Sequence, residues 1–196
     1  MNAFFNGAVD TQRLRMVPLG LSDVDAAYAV LSDPAVYAYI PDDPPGSVAA
    51  LRARWARYLE GPAVGVDEGW VNATVWTTNP SQVIGTVQAT VYPARRRADI
   101  AYLLGSAFWG CGYGTEAVAA WVAGLWQHAG GTTTQDCMID CIEATVDVRN
   151  VGSWRLLERL AFELVAFIPE ADHFKGAVSH EYRYRLQRPP ARSAAS

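Results

Sequence analysis

The chain has 196 residues, 51% of them hydrophobic and 18% charged, with a net charge of −4. The apolar content supports a packed core and excludes a chain disordered throughout, and the length fits one domain better than two. The acidic balance argues against duplex DNA, which calls for a basic surface that neutralises several phosphates.

Met1 to Asp10 shows neither the basic start nor the apolar run of a signal peptide, and reads as an N-terminal extension. From Thr11 to Leu19, Arg13 and Arg15 alternate with Leu14 and Met16, the period of a strand. Ser22 and Asp25 read as a capping box opening a helix toward Leu31, which Asp33-Pro34 interrupts. Pro41 to Gly46 holds three prolines and a glycine, so it is a loop. A second helix begins at Ser47, with Leu51, Trp55, Tyr58 and Leu59 on one face and Arg52, Arg54 and Arg57 away from it. Three closely spaced strands follow, Trp70 to Thr77, Val83 to Tyr92 and Ala98 to Leu104, as an antiparallel meander. Arg95-Arg96-Arg97 between the last two reads as a solvated hairpin tip.

A largely apolar helix spans Thr115 to about His128, and a polar stretch, Gly130 to Asp136, leads to a strand from Cys141 to Val148. A helix over Val151 to Leu160 and strands near Glu163 to Ile168 and Ser179 to Leu186 complete the pattern; Arg188 to Ser196 reads as a disordered tail. The order β-α-α-β-β-β-α-β-α-β-β predicts an α/β (α+β) domain over residues 11–187, with about four helices around a mixed, mostly antiparallel sheet of about seven strands. Cys111, Cys137 and Cys141 make no full disulfide set. The spacing of the last two lacks the His or Cys pair that completes a zinc site, so a reducing cytoplasm and no metal are expected. No stretch approaches the ~20 apolar residues of a membrane span, and neither a membrane nor a nucleic acid is expected as a partner.

The most informative segment runs from Trp109 to Ala117, Trp-Gly-Cys-Gly-Tyr-Gly-Thr-Glu-Ala, between a strand and a buried helix. Glycines at alternate positions let the backbone curl with successive N–H groups inward, and the helix start adds unpaired amides and a positive dipole end. Such a loop suits a pyrophosphate. It lacks the Gly-Lys-Ser/Thr of a Walker loop and the acidic residue ~20 positions on that a dinucleotide fingerprint wants. By itself the loop is equally a glycine-rich turn joining strand to helix.

Three segments together, Asp99 to Leu104, Phe108 to Ala117 and Asn150 to Ser153, resemble the GNAT superfamily of N-acetyltransferases, and within it the RimJ/RimL-like branch. Ser32 to Val36 and Phe174-Lys175-Gly176 match as well, and the resemblance covers Thr11 to Leu186. It implies acetyl-CoA as co-substrate and a primary amine as acceptor, either a protein N-terminus or a small molecule such as an antibiotic. The amides of Gly110, Cys111, Gly112, Tyr113, Gly114 and Thr115 would hold the pyrophosphate, with Trp109 where many relatives carry Arg or Gln. The backbone of Tyr102, Leu103 and Leu104 would pair with the pantetheine arm, an amide near Leu104 would stabilise the oxyanion, and Asn150 and Ser153 would also meet the coenzyme.

Acetyl transfer to an amine needs a base for the amine proton. Asp99 is the candidate base, standing where the branch usually carries Glu; the other reading is a strand-end Asp balancing Arg95 to Arg97. In a regular strand Asp99, Ala101 and Leu103 share one face, whereas a bulge would change that parity. Ser153 is the candidate acid, with Tyr113 and Tyr182 in reserve; its other reading is a helix-start hydroxyl serving backbone amides. His173 and His180 are candidates to reach the acceptor. Ala161-Phe162 stands where the family has Gly-Phe, and alanine in that left-handed position costs about 1 kcal/mol. The rival functions are a non-catalytic acyl-CoA-binding or sensor domain and a nucleotide-binding protein. A homodimer is an allowed assembly that the sequence does not specify.

Overall fold

A computed structural model describes residues 7–128 and 139–190. The polar stretch Gly130 to Asp136, Cys137, the first six residues and residues 191–196 lie outside the described residues. In chain order the elements are β1 (Val9–Asp10), β2 (Leu14–Pro18), α1 (Val24–Leu31), α2 (Val48–Glu60), β3 (Gly69–Thr78), β4 (Ser81–Tyr92), β5 (Arg97–Leu104), α3 (Tyr113–His128), β6 (Cys141–Asp147), α4 (Val151–Arg159), β7 (Glu163–Phe174) and β8 (Ala177–Gln187). The strands form one sheet in the order β1-β2-β3-β4-β5-β6-β8-β7, and only β5–β6 is parallel. The architecture is therefore the expected one with eight strands instead of seven. The addition is β1, two residues pairing Val9 with Met16 and Asp10 with Arg15, too short for an alternating pattern to betray it.

Two helix pairs cover opposite faces of the sheet. One face packs Leu14, Met16, Val75, Ile84, Ile100 and Leu104 in a single cluster with Val118, Trp121 and Leu125 of α3 and Leu156 and Leu157 of α4. On the other, Leu19, Val24, Ala27, Leu31, Leu51, Trp55 and Val83 form a smaller cluster of α1 and α2, with Trp76 and Leu103 against it. The helix α2 starts as the sequence suggests, the Ser47 hydroxyl accepting from the Ala50 amide at 3.1 Å.

Three local expectations are corrected. Leu59 is 50% exposed, because the helix ends one residue later and runs past its cluster. Ser22 makes no capping box: its hydroxyl donates to Asp23 at 3.0 Å. The basic run is not simply a solvated tip, since Arg97 opens β5 and pairs with Asp99 and Glu143, and Arg96 pairs with Asp140.

The sheet is split between β5 and β6. The strands β5 and β6 pair only from Arg97↔Cys141 to Asp99↔Glu143; beyond that, β6 continues along β8 while β5 continues along β4. A wedge opens between Ile100–Leu104 and Ala144–Asp147. The strands β7 and β8 reach further than expected and close into a hairpin at Lys175-Gly176, both with positive φ (50° and 74°). Lys175 Nζ donates to the carbonyls of Tyr37, Ile40 and Asp42 at 2.8, 2.7 and 2.8 Å, fastening the hairpin tip to the loop between α1 and α2.

Candidate active site

The glycine loop occupies one side of the wedge, at the start of α3. Gly110 and Gly112 have φ of 74° and 80°, a conformation that side-chain-bearing residues rarely adopt. The first bond of the helix runs from the Glu116 amide to the Gly112 carbonyl at 3.1 Å. Among the described residues no backbone carbonyl accepts from the amides of Gly110 through Thr115. Six consecutive amides thus curl at a helix start, as a diphosphate site requires. At Gly114 an added Cβ would stand 2.9 Å from Leu156 Cδ1, so this glycine also lets α4 approach α3. Trp109 is 53% exposed, but its indole folds back and donates from Nε1 to the Leu104 carbonyl at 2.8 Å.

Along β5 the register with β4 is unbroken from Gly85↔Leu104 to Tyr92↔Arg97, so there is no bulge and alternation holds. Ile100, Tyr102 and Leu104 pack on the α3–α4 side and Leu103 on the α1–α2 side, which places Asp99 and Ala101 on the α1–α2 side too. The Gly105 amide donates to the Ile84 carbonyl on β4 at 2.9 Å. Alternation then turns the amides of Leu104 and Tyr102 toward the wedge and that of Leu103 toward β4. An added Cβ at Gly85 would stand 2.0 Å from the Leu103 carbonyl oxygen, a contact that only glycine permits.

Asn150 and Ser153 stand at the start of α4, where Ser153 meets Tyr102 of β5. Asn150 is the cap, its Oδ1 accepting from the Ser153 amide at 3.2 Å. The Ser153 hydroxyl lies 2.7 Å from the Tyr102 hydroxyl. Burial pushes the Tyr102 phenol up to about 12, against the opposing hydrogen bond with Ser153, so it remains protonated at neutral pH. The two reserve acids are placed differently: Tyr113 packs beneath the Arg13 guanidinium, and Tyr182 packs against the core beside Phe167 and Tyr184.

Asp99 belongs to a row of side chains that crosses the sheet. Register partners place Trp70, Thr90, Asp99, Glu143 and Arg185 in line across β3, β4, β5, β6 and β8. Arg97 Nη2 donates to Asp99 Oδ2 at 3.1 Å, and Arg97 Nη1 lies 3.1 Å from Glu143 Oε2. Arg97 Nε is 3.0 Å from Asp99 Oδ1 but off the line of a hydrogen bond, leaving both buried atoms without a hydrogen-bond partner. Glu143, 2% exposed, also accepts from Arg185 Nε at 2.7 Å. Burial raises the Asp99 carboxyl, Arg97 pulls it down and Glu143 lifts it again; the net direction is up. The pairing with Arg97 is the one the second reading expects, and alternation sets Asp99 on the α1–α2 side of β5.

A cavity of about 130 Å³ is walled by Tyr58, Trp70, Asn72, Gln88, Ala89 and Thr90, the last of which is the register partner of Asp99. A larger one of about 480 Å³, lined by Arg15, Asp23 and Trp76 among others, sits toward the β2–β3 edge, away from Asp99 and the glycine loop. His180 is engaged within the β7–β8 hairpin, its Nδ1 accepting from the Glu170 amide at 3.0 Å, and His173 is exposed. Among the described residues no three His, Cys, Asp or Glu side chains converge to hold a metal ion, and no helix is long and apolar enough to cross a membrane.

Two arrangements escape sequence reasoning. One is the Arg97–Glu143–Arg185 chain behind Asp99. The other is the attachment of the glycine loop and the start of α3 to Thr11 and Arg13, 98 to 105 residues away in sequence: Arg13 donates from Nη1 to the Cys111 carbonyl and from Nε to the Glu116 carboxylate, which also accepts from the Thr11 hydroxyl. Strand periodicity gives no sign of either.

Residues 13–163 match the family model described as an acetyltransferase (GNAT) domain. The uncharacterized N-acetyltransferase p20 of Bacillus licheniformis is 28% identical over 178 residues, which span 90% of this chain and 93% of that protein. Among solved structures, the RimL ribosomal L7/L12 α-N-protein acetyltransferase in complex with coenzyme A is similar with a TM-score of 0.77 and 18% identity, covering 92% of this chain and 98% of its own. Spermidine N-acetyltransferase from Vibrio cholerae, in complex with CoA and spermine, has a TM-score of 0.73 and 15% identity, covering 90% and 96%. At those identities the two structures speak for the fold.

Proposed function

The chain belongs to the GNAT acetyltransferase family and is an N-acetyltransferase, and from that premise we propose that it transfers the acetyl group of acetyl-CoA directly to a primary amine held on the α1–α2 side of the wedge. The observation that carries this reading is the run of amides from Gly110 to Thr115, free of backbone partners among the described residues, beside a sheet that splits after Asp99. The amides bind the pyrophosphate of the co-substrate. Outward amides of Tyr102 and Leu104 pair with the pantetheine arm, with Asn150 and Ser153 on its other side. The thioester then lies in the wedge between two groups on opposite faces of the sheet.

Asp99, on one face, takes a proton from the amine directly or through a water as nitrogen bonds to the carbonyl carbon. The amide of Leu104 stabilises the oxyanion that forms. As the C–S bond breaks, the hydroxyl pair of Ser153 and Tyr102, on the other face, offers a proton to the departing thiolate, and solvent replaces it. The raised Asp99 carboxyl suits this division, because a somewhat more basic carboxylate accepts a proton from an amine more readily. The acceptor, a protein N-terminus or a small-molecule amine, enters by the cavity that Tyr58 and Trp70 wall. As parts of the same proposal, the enzyme is RimJ/RimL-like, has its working domain over residues 11–187, and acts in the cytoplasm as a monomer or homodimer without a metal, nucleic acid or membrane.

The test is thiol release from acetyl-CoA against a panel of amines that includes peptides with free N-termini, polyamines and aminoglycosides. At least one acceptor is expected to release CoA with stoichiometric N-acetylation. Tight CoA binding with no turnover on any amine would favour a sensor domain, and a melting temperature raised by ATP or NAD but not by CoA would point to a nucleotide-binding protein.

A further inference from the structure

Arg13 ends the turn before β2, where its carbonyl accepts from the Thr78 amide at 2.9 Å, so its backbone is fixed to the end of β3. Its side chain makes three contacts with the glycine loop and the helix behind it. Nη1 donates to the Cys111 carbonyl at 3.0 Å, Nε donates to Glu116 Oε2 at 2.6 Å, and the guanidinium lies 4.5 Å from the centre of the Tyr113 ring. Glu116 Oε1 also accepts from the Thr11 hydroxyl at 2.6 Å and the Arg13 amide at 3.0 Å.

Two physical consequences follow. A peptide unit is planar and trans, so its C=O and N–H point in opposite directions. Holding the Cys111 carbonyl against Arg13 therefore aims the Gly112 amide away from it, toward the mouth of the loop. The second consequence is electrostatic. Glu116 lies in the first turn of α3, where a carboxylate competes with any anion for the positive helix end. Paired with Arg13, that carboxylate no longer repels a phosphate group.

We propose that Arg13 is a positioning residue for coenzyme binding: it fixes the Cys111–Gly112 peptide in its anion-facing orientation and cancels the Glu116 charge behind the loop. This inference rests on the coenzyme reading above, and its test separates the two. In the wild-type protein CoA binding is measured first; its absence would count against the coenzyme reading itself. Given binding, Arg13→Gln is expected to raise the Kd for CoA and the KM for acetyl-CoA about tenfold, in line with the loss of charge-assisted hydrogen bonds. The kcat/KM for S-acetylpantetheine, which carries the thioester without the diphosphate, is expected to change less than twofold. Arg13→Gln/Glu116→Gln, with no unpaired carboxylate behind the loop, is expected to recover part of the lost affinity. Arg13→Lys, which keeps the charge but cannot span both acceptors, is expected to fall between wild type and Arg13→Gln and serves if Arg13→Gln does not fold. Equal losses with both acetyl donors would reduce Arg13 to a general stabiliser and overturn the proposal, as would wild-type CoA affinity in Arg13→Gln or Arg13→Lys or a double variant no better than the single one.

Discussion

The two halves of the candidate site are made in different ways. The coenzyme half is mainly backbone: six successive amides, two glycines with positive φ, and a strand edge left open where the sheet divides. The acceptor half is side chains, delivered by β3, β4, β5, β6 and β8 to one row across the sheet, with Tyr58 of α2 at the neighbouring cavity. A backbone site depends on a segment holding its conformation, so it tolerates substitution wherever the glycines, the helix start and the Arg13 contacts behind them stay in place. A side-chain row depends on strand register between residues far apart, and on a balance of buried charges in which Arg97 serves Asp99 and Glu143 together. Substitutions in the two halves should therefore fail differently, the first in coenzyme affinity and the second in rate and its pH dependence.

The largest effect is expected at the base. Asp99→Asn should lower kcat by about 100- to 10,000-fold, the usual range for general-base catalysis, with the Kd for CoA nearly unchanged. A loss confined to CoA affinity would remove the distinction between the halves. The charges around Asp99 give a finer form of the same test. Its folded carboxyl is raised, and the base must be ionised to act, so the acid limb that Asp99 contributes to kcat/KM should lie higher than that of an unperturbed aspartate. Arg97→Gln removes the attraction that favours the ionised form and should move that limb to higher pH. Glu143→Gln removes a like charge and frees Arg97 for Asp99, so the limb should move to lower pH. Steady-state pH profiles of the three proteins decide the signs.

The same contrast governs how much could be read in advance. The glycine loop, the Ser47 cap and the parity of Asp99 are local properties, set by residues within a few positions of one another, and the structure follows them. Leu59 failed because periodicity says which face a residue takes but not where that face runs out of partners. Glu143 reads in sequence as an ordinary polar position within a strand. Its burial between two arginines exists only after β5, β6 and β8 lie side by side. Arg13 similarly reads as the outward residue of an alternating strand, because its role is set by contacts with Cys111 and Glu116, beyond the reach of any local pattern. The family resemblance singled out Asp99 to Leu104, the glycine loop and Asn150 to Ser153, whereas the arginine network behind Asp99 is set by this chain's own register.

A smaller effect is expected from Gly112→Ala. At φ 80° an alanine is strained by roughly 1–2 kcal/mol, and its Cβ would come 3.4 Å from Arg13 Nη2. The loop can relieve that strain only by uncurling, which turns amides away from the ligand. CoA affinity should fall by about tenfold, measured by calorimetry, while kcat at saturating acetyl-CoA stays within twofold or so. A fall in kcat with unchanged affinity would mean that the loop governs the chemistry instead of the grip.

The smallest effect is expected outside both halves. Ala161 joins α4 to β7 with φ of 62°, and the chain there satisfies the end of the helix, the Ala161 amide donating to the Glu158 carbonyl at 3.0 Å and the Phe162 amide to the Leu157 carbonyl at 3.0 Å. Those bonds hold the left-handed turn in place, so the alanine bears a conformational penalty that glycine would not. Its side chain is exposed, so removing the methyl leaves no cavity to offset the gain. Ala161→Gly should therefore stabilise the fold by about 1 kcal/mol, less the greater freedom that glycine brings to the unfolded chain, and raise the midpoint of urea unfolding without altering its slope. Because α4 also carries Asn150 and Ser153 at its opposite end, the variant asks whether strain at one end of a helix is felt at the other. Unchanged kcat and CoA affinity would confine the strain to the turn, whereas a change in either would couple the turn to the wedge and make the backbone half of the site less local than its glycines suggest.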